Sequence, residues 1–205
     1  MRAPFMKNIP LALIYLRLLI GFAIILLSVF QVANYPFLAI TLLSVGLLTD
    51  VFDGIIARRL NISSEKLRRL DSSVDQVFFI SVAMATYIQC PDFFKTNLVK
   101  LIILVAFEVS TYLVSYLKFK REIATHSIGA KIWTLILFAT LVEVMVHCQS
   151  VVLFELCLWV GLVTRLEILA IVFTLKKWTN DVPTIYHAVQ LRQGKEIKRN
   201  KLFNG

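Results

Sequence analysis

Four aspartates fall within 26 residues: Asp50, Asp53, Asp71 and Asp75. The first two are three apart and the last two four apart, so each pair shares one face of a helix. Both pairs stand where apolar sequence gives way to charge. Carboxylates gathered at the edge of a low-dielectric region repel one another and are costly unless a cation is bound. All-oxygen ligands suit Mg²⁺ or Mn²⁺ rather than zinc, and Mg²⁺ held by carboxylates commonly works with phosphate groups. Arg58, about one turn past Asp53, is placed to bind a phosphate. Gly54 and Ala57 leave room beside the carboxylates for a ligand. The bland alternative is a set of interfacial charges paired with Arg58, Arg59, Arg68 and Arg69.

The elements that position these residues are apolar helices. The chain has 205 residues, 58% of them hydrophobic, and a mean hydropathy of +0.76. An ordinary soluble domain is about 45–50% apolar. A spanning helix needs about 20 mostly apolar residues. Six candidates meet that length: Pro10–Phe30, Phe37–Leu60, Leu67–Cys90, Leu98–Lys118, Ile128–His147 and Val151–Leu175. The expected fold is all-α, a polytopic membrane protein of one domain over 1–205 with a basic tail from 178. The six-residue link after Leu60 makes the second and third helices antiparallel neighbours. Their four carboxylates then converge just inside the membrane boundary.

The net charge of +9 does not make a nucleic-acid face, because the cations cluster at the ends of apolar runs. Arg2, Lys7, Arg58, Arg59, Lys66, Arg68, Arg69, Lys118, Lys120, Arg121, Lys131 and the cations from Lys176 onward fall on one side. Lys95 and Lys100 fall on the other. The positive-inside rule puts both termini and the four aspartates on the cytoplasmic side. The first apolar run reads as a retained helix, since no small-residue cleavage site follows it. The tail carries Trp178, Ile185, Tyr186, Val189 and Leu191 among its cations. Part of it is expected to lie on the inner leaflet as an amphipathic helix, with a solvated tail as the alternative.

Cys90, Cys148 and Cys157 show no metal spacing. They are expected as packed thiols, with a Cys90–Cys148 disulfide on the outer face as the alternative. Arg17, Glu108, Glu143, Glu155, Arg165 and Glu167 lie in or near spans, where charge is expensive. Apart from Arg17, these are expected to snorkel or to pair between helices. His126, His147 and His187 have no ligand-like partners and are assigned no role.

The run "DVFDGIIAR" from Asp50, followed after twelve residues by "DSSVD" from Asp71, resembles the signature of the CDP-alcohol phosphotransferases, D-x2-D-G-x2-A-R-x8-G-x3-D-x3-D. Seven of its eight elements match, and Leu67 stands in place of the second glycine. "NIPLALIYLR", from Asn8 to Arg17, is similar to the N-terminal motif of phosphatidylglycerophosphate synthases, with Ile14 in place of a threonine. "SYLKFKRE", from Ser115, resembles the fourth-helix end of phosphatidylinositol-phosphate synthases. "GAKIWT", from Gly129, is similar to a glycine–lysine motif that opens the fifth helix.

The resemblance implies a six-helix fold and transfer of a substituted phosphate from a CDP-alcohol to an acceptor hydroxyl, with release of CMP. It implies that Asp50, Asp53, Asp71 and Asp75 hold Mg²⁺ (or Mn²⁺) and that Asp75 is the general base. Arg58 would hold the diphosphate, Gly54 would lie near the nucleotide, and Arg17 would face the site. Ser64 would contact CDP, with an N-cap role as its alternative. Lys118 and Lys120, with Arg121 and Lys131, would form a pocket for an anionic acceptor, their alternative role being topology. The expected donor is CDP-diacylglycerol, and the leading acceptor is glycerol 3-phosphate. Serine, inositol phosphate, phosphatidylglycerol, or a CDP-amino alcohol with diacylglycerol are the alternatives. The expected setting is a bacterial cytoplasmic membrane, with a homodimer as a further implication. A transporter would show helices broken by Gly or Pro at the midplane, and a non-catalytic relative would have lost aspartates; neither feature is present.

Overall fold

A computed structural model describes residues 8–60, 62, 64–121, 127–179, 182–195 and 197, without the side chains of Arg58 and Glu65. The described residues form helices and no strand. In order these are α1 (Ile9–Val29), α2 (Tyr35–Arg59), α3 (Glu65–Gln89), α4 (Pro91–Thr96), α5 (Leu98–Phe119), α6 (Ile128–His147), α7 (Val152–Thr174) and α8 (Ile185–Arg192). Five of them, α1, α2, α5, α6 and α7, are long and apolar enough to cross a membrane. The expected third span is also a helix. Its first half carries Lys66, Arg68, Arg69, Asp71 and Asp75, which keeps α3 out of that apolar class.

The chain divides into two compact units. The first comprises Met1–Phe93 and Leu141–Gln149. Its frame is α1, whose first turn carries Pro10, where the missing N–H costs no intrahelical bond. The buried stripe of α1 is Pro10, Ile14, Arg17, Gly21, Ile24 and Ser28, at helical spacing. Its outward residues Leu11, Tyr15, Leu19 and Leu26 are apolar and exposed. α1 packs along both α2 and α3, whereas α2 and α3 meet each other over a much shorter stretch. α2 and α3 do meet, as the short link between them leads one to expect, but α1 packs along both and fills most of the space between them. At the far end, Ser28 Oγ donates to the Ala85 carbonyl at 2.8 Å and Gln89 Nε2 donates to the Ser28 carbonyl at 3.0 Å. Cys90 and Cys148 are joined by a disulfide, so the packed-thiol expectation fails for these two residues; Cys157 is the buried free thiol.

The second unit comprises Phe94–Thr140 and Ser150–Gly205. Here α5 packs on α7, and α8 packs on α7 as well. Two ion pairs join α5 to α7, Lys100 with Glu155 and Arg165 with Glu108. The Arg165 guanidinium also lies 3.9 Å from the centre of the Trp133 ring, and Trp133 Nε1 donates to the Cys157 carbonyl at 2.9 Å. The expectation of pairing between helices thus holds for these charges. The tail is neither solvated throughout nor laid out alone. Ile171, Leu175, Val182 and Ala188 form one buried cluster, flanked by Phe119, Ile185 and Leu191.

Candidate active site

The site is built on α1, α2 and α3 of the first unit. On α2 the sequence places Asp50, Asp53 and Ala57 along one helical face. Asp53 and Ala57 are buried, and Gly54 is half-buried. On α3 the first turn is fixed by Ser64, whose Oγ accepts from the Leu67 N–H at 3.2 Å. This is an ordinary N-cap, and it sets the phase that brings Asp71 and Asp75 to one side. Leu67, at the position of the missing glycine, is the third residue of the helix and half-buried.

All four carboxylates converge on one guanidinium. Arg17 Nη1 donates to Asp71 Oδ1 at 3.0 Å and lies 3.2 Å from Asp50 Oδ1. Nη1 also bonds Asp75, and Nη2 bonds Asp53. Arg17 is 1% exposed, although it is a full cation on an apolar helix. The wedge position of α1 explains this. A side chain from its buried stripe reaches both acidic faces at once.

The four carboxylates differ in depth. The Asp53 side chain is 3% exposed, those of Asp71 and Asp75 are 20% and 25%, and that of Asp50 is 34%. The set therefore opens toward solvent on the Asp50 side and closes at Asp53. Asp50, Asp53 and Asp71 each offer a carboxylate oxygen within 4.8 Å of the others. Oxygen donors gathered this closely fit a hard divalent cation. One guanidinium against four carboxylates leaves the cluster itself net negative, which also fits a further cation.

The other expected site residues are placed less tightly. Arg58 follows Ala57 in α2, but its side chain lies outside the described part of the structure. Ser64 uses its hydroxyl as the cap of α3 and is otherwise exposed. Lys118, Lys120 and Lys131 belong to the second unit. Lys118 Nζ donates to the carbonyls of Val172 and Phe173 at 2.9 and 2.8 Å, which satisfies the last turn of α7. Lys120 ends α5 in the left-handed conformation at φ 54°, with its ammonium 5.8 Å from the centre of the Tyr116 ring. Lys131 is half-buried in the first turn of α6. Arg17 has a larger part in the site than the sequence alone shows. The signal was an arginine in the middle of an apolar run, but nothing in its spacing shows that it meets all four aspartates.

A family model for CDP-alcohol phosphatidyltransferase matches residues 7–176, which include Arg17, all four aspartates and every expected lysine. No curated protein and no solved structure matches the chain. With its acidic signature gathered at one point and most of its length matched, the chain belongs to the CDP-alcohol phosphatidyltransferase family.

Proposed function

We propose that this protein is a phosphatidyltransferase of phospholipid biosynthesis that uses CDP-diacylglycerol as donor and glycerol 3-phosphate as acceptor. Its family is enzymatic and transfers a phosphatidyl group from a CDP-alcohol. The observation that carries the reading is the convergence of Asp50, Asp53, Asp71 and Asp75 on buried Arg17.

In this reading Asp75 accepts the proton of the acceptor hydroxyl. The acceptor oxygen forms a bond to the β-phosphorus, and the bond from that phosphorus to the CMP oxygen breaks. CMP leaves with the electron pair. Mg²⁺ or Mn²⁺, held by Asp50, Asp53, Asp71 and Asp75, supplies neutralisation of the diphosphate and leaving-group charge when bound. Arg58 orients the diphosphate. Gly54 and Ala57 keep the space beside the carboxylates open to the nucleotide, and Ser64 contacts it. The basic residues Lys118, Lys120 and Lys131 are the ones this reading assigns to an anionic acceptor. α3 completes six spans, both termini and the site are cytoplasmic, the membrane is a bacterial cytoplasmic membrane, and two copies associate.

A second reading, a neutral acceptor such as serine, is favoured by Lys118, two of whose donors are committed to α7. The test is CMP release by membranes containing the protein, with CDP-diacylglycerol, Mg²⁺ and one acceptor at a time. Release with glycerol 3-phosphate, abolished by EDTA and by Asp75→Asn, is the expected result. Release with serine alone would replace the first reading by the second. No release with glycerol 3-phosphate, serine, inositol phosphate or phosphatidylglycerol would overturn both.

A further inference from the structure

Arg17 is an unusual occupant of an acidic site. It is buried, it comes from a helix that supplies no carboxylate, and it forms ion pairs with all four aspartates at once. Five N–H donors in a rigid fork make a guanidinium the one side chain able to bridge so many carboxylates. Even so, Arg17 Nε is buried without an acceptor among the described residues. An orphaned buried donor is costly, so the guanidinium is not fully satisfied where it lies.

From this we infer that Arg17 is the resident counter-ion of the carboxylate cluster, one that holds the site assembled without metal and competes with the divalent cation for the same carboxylates. The inference rests on the reading of the aspartates as metal ligands and goes beyond it. The physical reason is charge. Four carboxylates on α2 and α3 repel one another, and α1 carries the cation that lets the three helices close. The same cation sits within hydrogen-bond distance of the groups that would hold the metal, so it lowers their affinity for a second cation. Arg17 is therefore a positioning residue whose removal has two opposite consequences. The metal-free protein becomes less stable, and the metal binds more tightly.

The test uses the full chain in detergent, with Mn²⁺ as probe. Free Mn²⁺ is read by electron paramagnetic resonance, and melting is followed in EDTA and in saturating Mn²⁺. Wild type, Arg17→Gln and Arg17→Lys are compared. Removing a unit charge about 4 Å from a bound divalent ion tightens its binding by at least about tenfold, after allowance for screening. Arg17→Gln is expected to bind Mn²⁺ more tightly by that factor, to melt lower than wild type in EDTA and to recover in Mn²⁺. Arg17→Lys keeps the charge but cannot bridge four carboxylates, and its affinity is expected to lie between the other two. A purely structural role for Arg17 would lower melting without tightening Mn²⁺. Mn²⁺ affinity unchanged or weakened in Arg17→Gln would overturn the inference while leaving the metal reading intact. If Arg17→Gln does not fold, Arg17→Lys decides alone: tighter binding than wild type supports the inference, and unchanged or weaker binding overturns it. No Mn²⁺ binding by wild type or by either variant would overturn the metal reading, and this inference with it.

Discussion

Gly46 of α2 lies against the ring of Phe78 of α3. A methyl group added to Gly46 would come within 2.8 Å of Cε2 and 3.1 Å of Cε1, and closer still to Cζ. Phe78 is 1% exposed, so its ring is enclosed by the protein. The absence of a side chain at Gly46 is what lets α2 and α3 touch at this level. Gly46→Ala is therefore expected to destabilise the first unit by about 1–3 kcal/mol, the usual cost of overpacking. Gly21→Ala is the contrast. Its added methyl would meet Phe78 and Ser81 at 3.4 Å, an ordinary contact. Alanine is the better helix former by about 1 kcal/mol, so this variant should melt at or above wild type. Thermal unfolding in detergent checks both, and equal melting of the two variants would refute this account of the packing.

Asp75 and Asp50 both pair with Arg17, yet their expected roles separate in kinetics. Asp75→Asn keeps the shape and the hydrogen-bonding reach but removes the basic oxygen. CMP release is expected to fall by about 10²–10⁴-fold, the usual worth of a general base, with the KM for CDP-diacylglycerol little changed. Asp50→Asn, at the most exposed carboxylate, is expected to act through cation affinity, so raised Mg²⁺ should restore much of its rate. Steady-state CMP release across a Mg²⁺ series separates the two. Because Asp75 also belongs to the cation-holding set, partial recovery at high Mg²⁺ is expected, but full Mg²⁺ rescue of Asp75→Asn would remove the base assignment.

The helices were readable because hydrophobic runs of membrane length leave few alternatives, and the aspartate spacing gave the two acidic faces directly. The position of α1 was not readable. Link lengths say which helix ends are close, not which helix fills the space between them, and so the full meeting of Arg17 with four carboxylates could not be inferred from order along the chain. The Cys90–Cys148 bridge stood only as the alternative to packed thiols, because an odd cysteine count with no metal spacing does not choose between them. The packing of α8 was hidden because Val182, Ala188 and Leu191 make the same pattern whether they face a leaflet or the end of α7. Lys118 is the subtlest case: a lysine that satisfies carbonyls of another helix is indistinguishable in sequence from one that awaits a phosphate.

Reduction of the Cys90–Cys148 bridge is expected to destabilise the first unit. The bridge spans a sequence separation of 58, and closing loops of such lengths typically contributes about 2–4 kcal/mol. Melting with and without dithiothreitol should differ in wild type and not in Cys90→Ser/Cys148→Ser. Cys157 is buried and should resist maleimide until the protein unfolds. Reductant-independent melting of wild type would show that the bridge does not form in the protein as isolated.

Arg165 and Glu108, remote in sequence, form an ion pair between α7 and α5. The Arg165 side chain is 5% exposed and that of Glu108 is 26%, so neither is well hydrated. Arg165→Met leaves Glu108 without the guanidinium, and Glu108→Gln leaves the buried guanidinium without its carboxylate. Each single change is expected to cost about 1–3 kcal/mol. The double variant removes both charges and should cost less than the sum of the two, because well-packed neutral side chains can replace a buried ion pair at little cost. A double-mutant cycle on melting in detergent measures this directly. Strict additivity would mean that the two charges do not act as a pair, and that each side chain contributes through its own packing, Arg165 chiefly against Trp133.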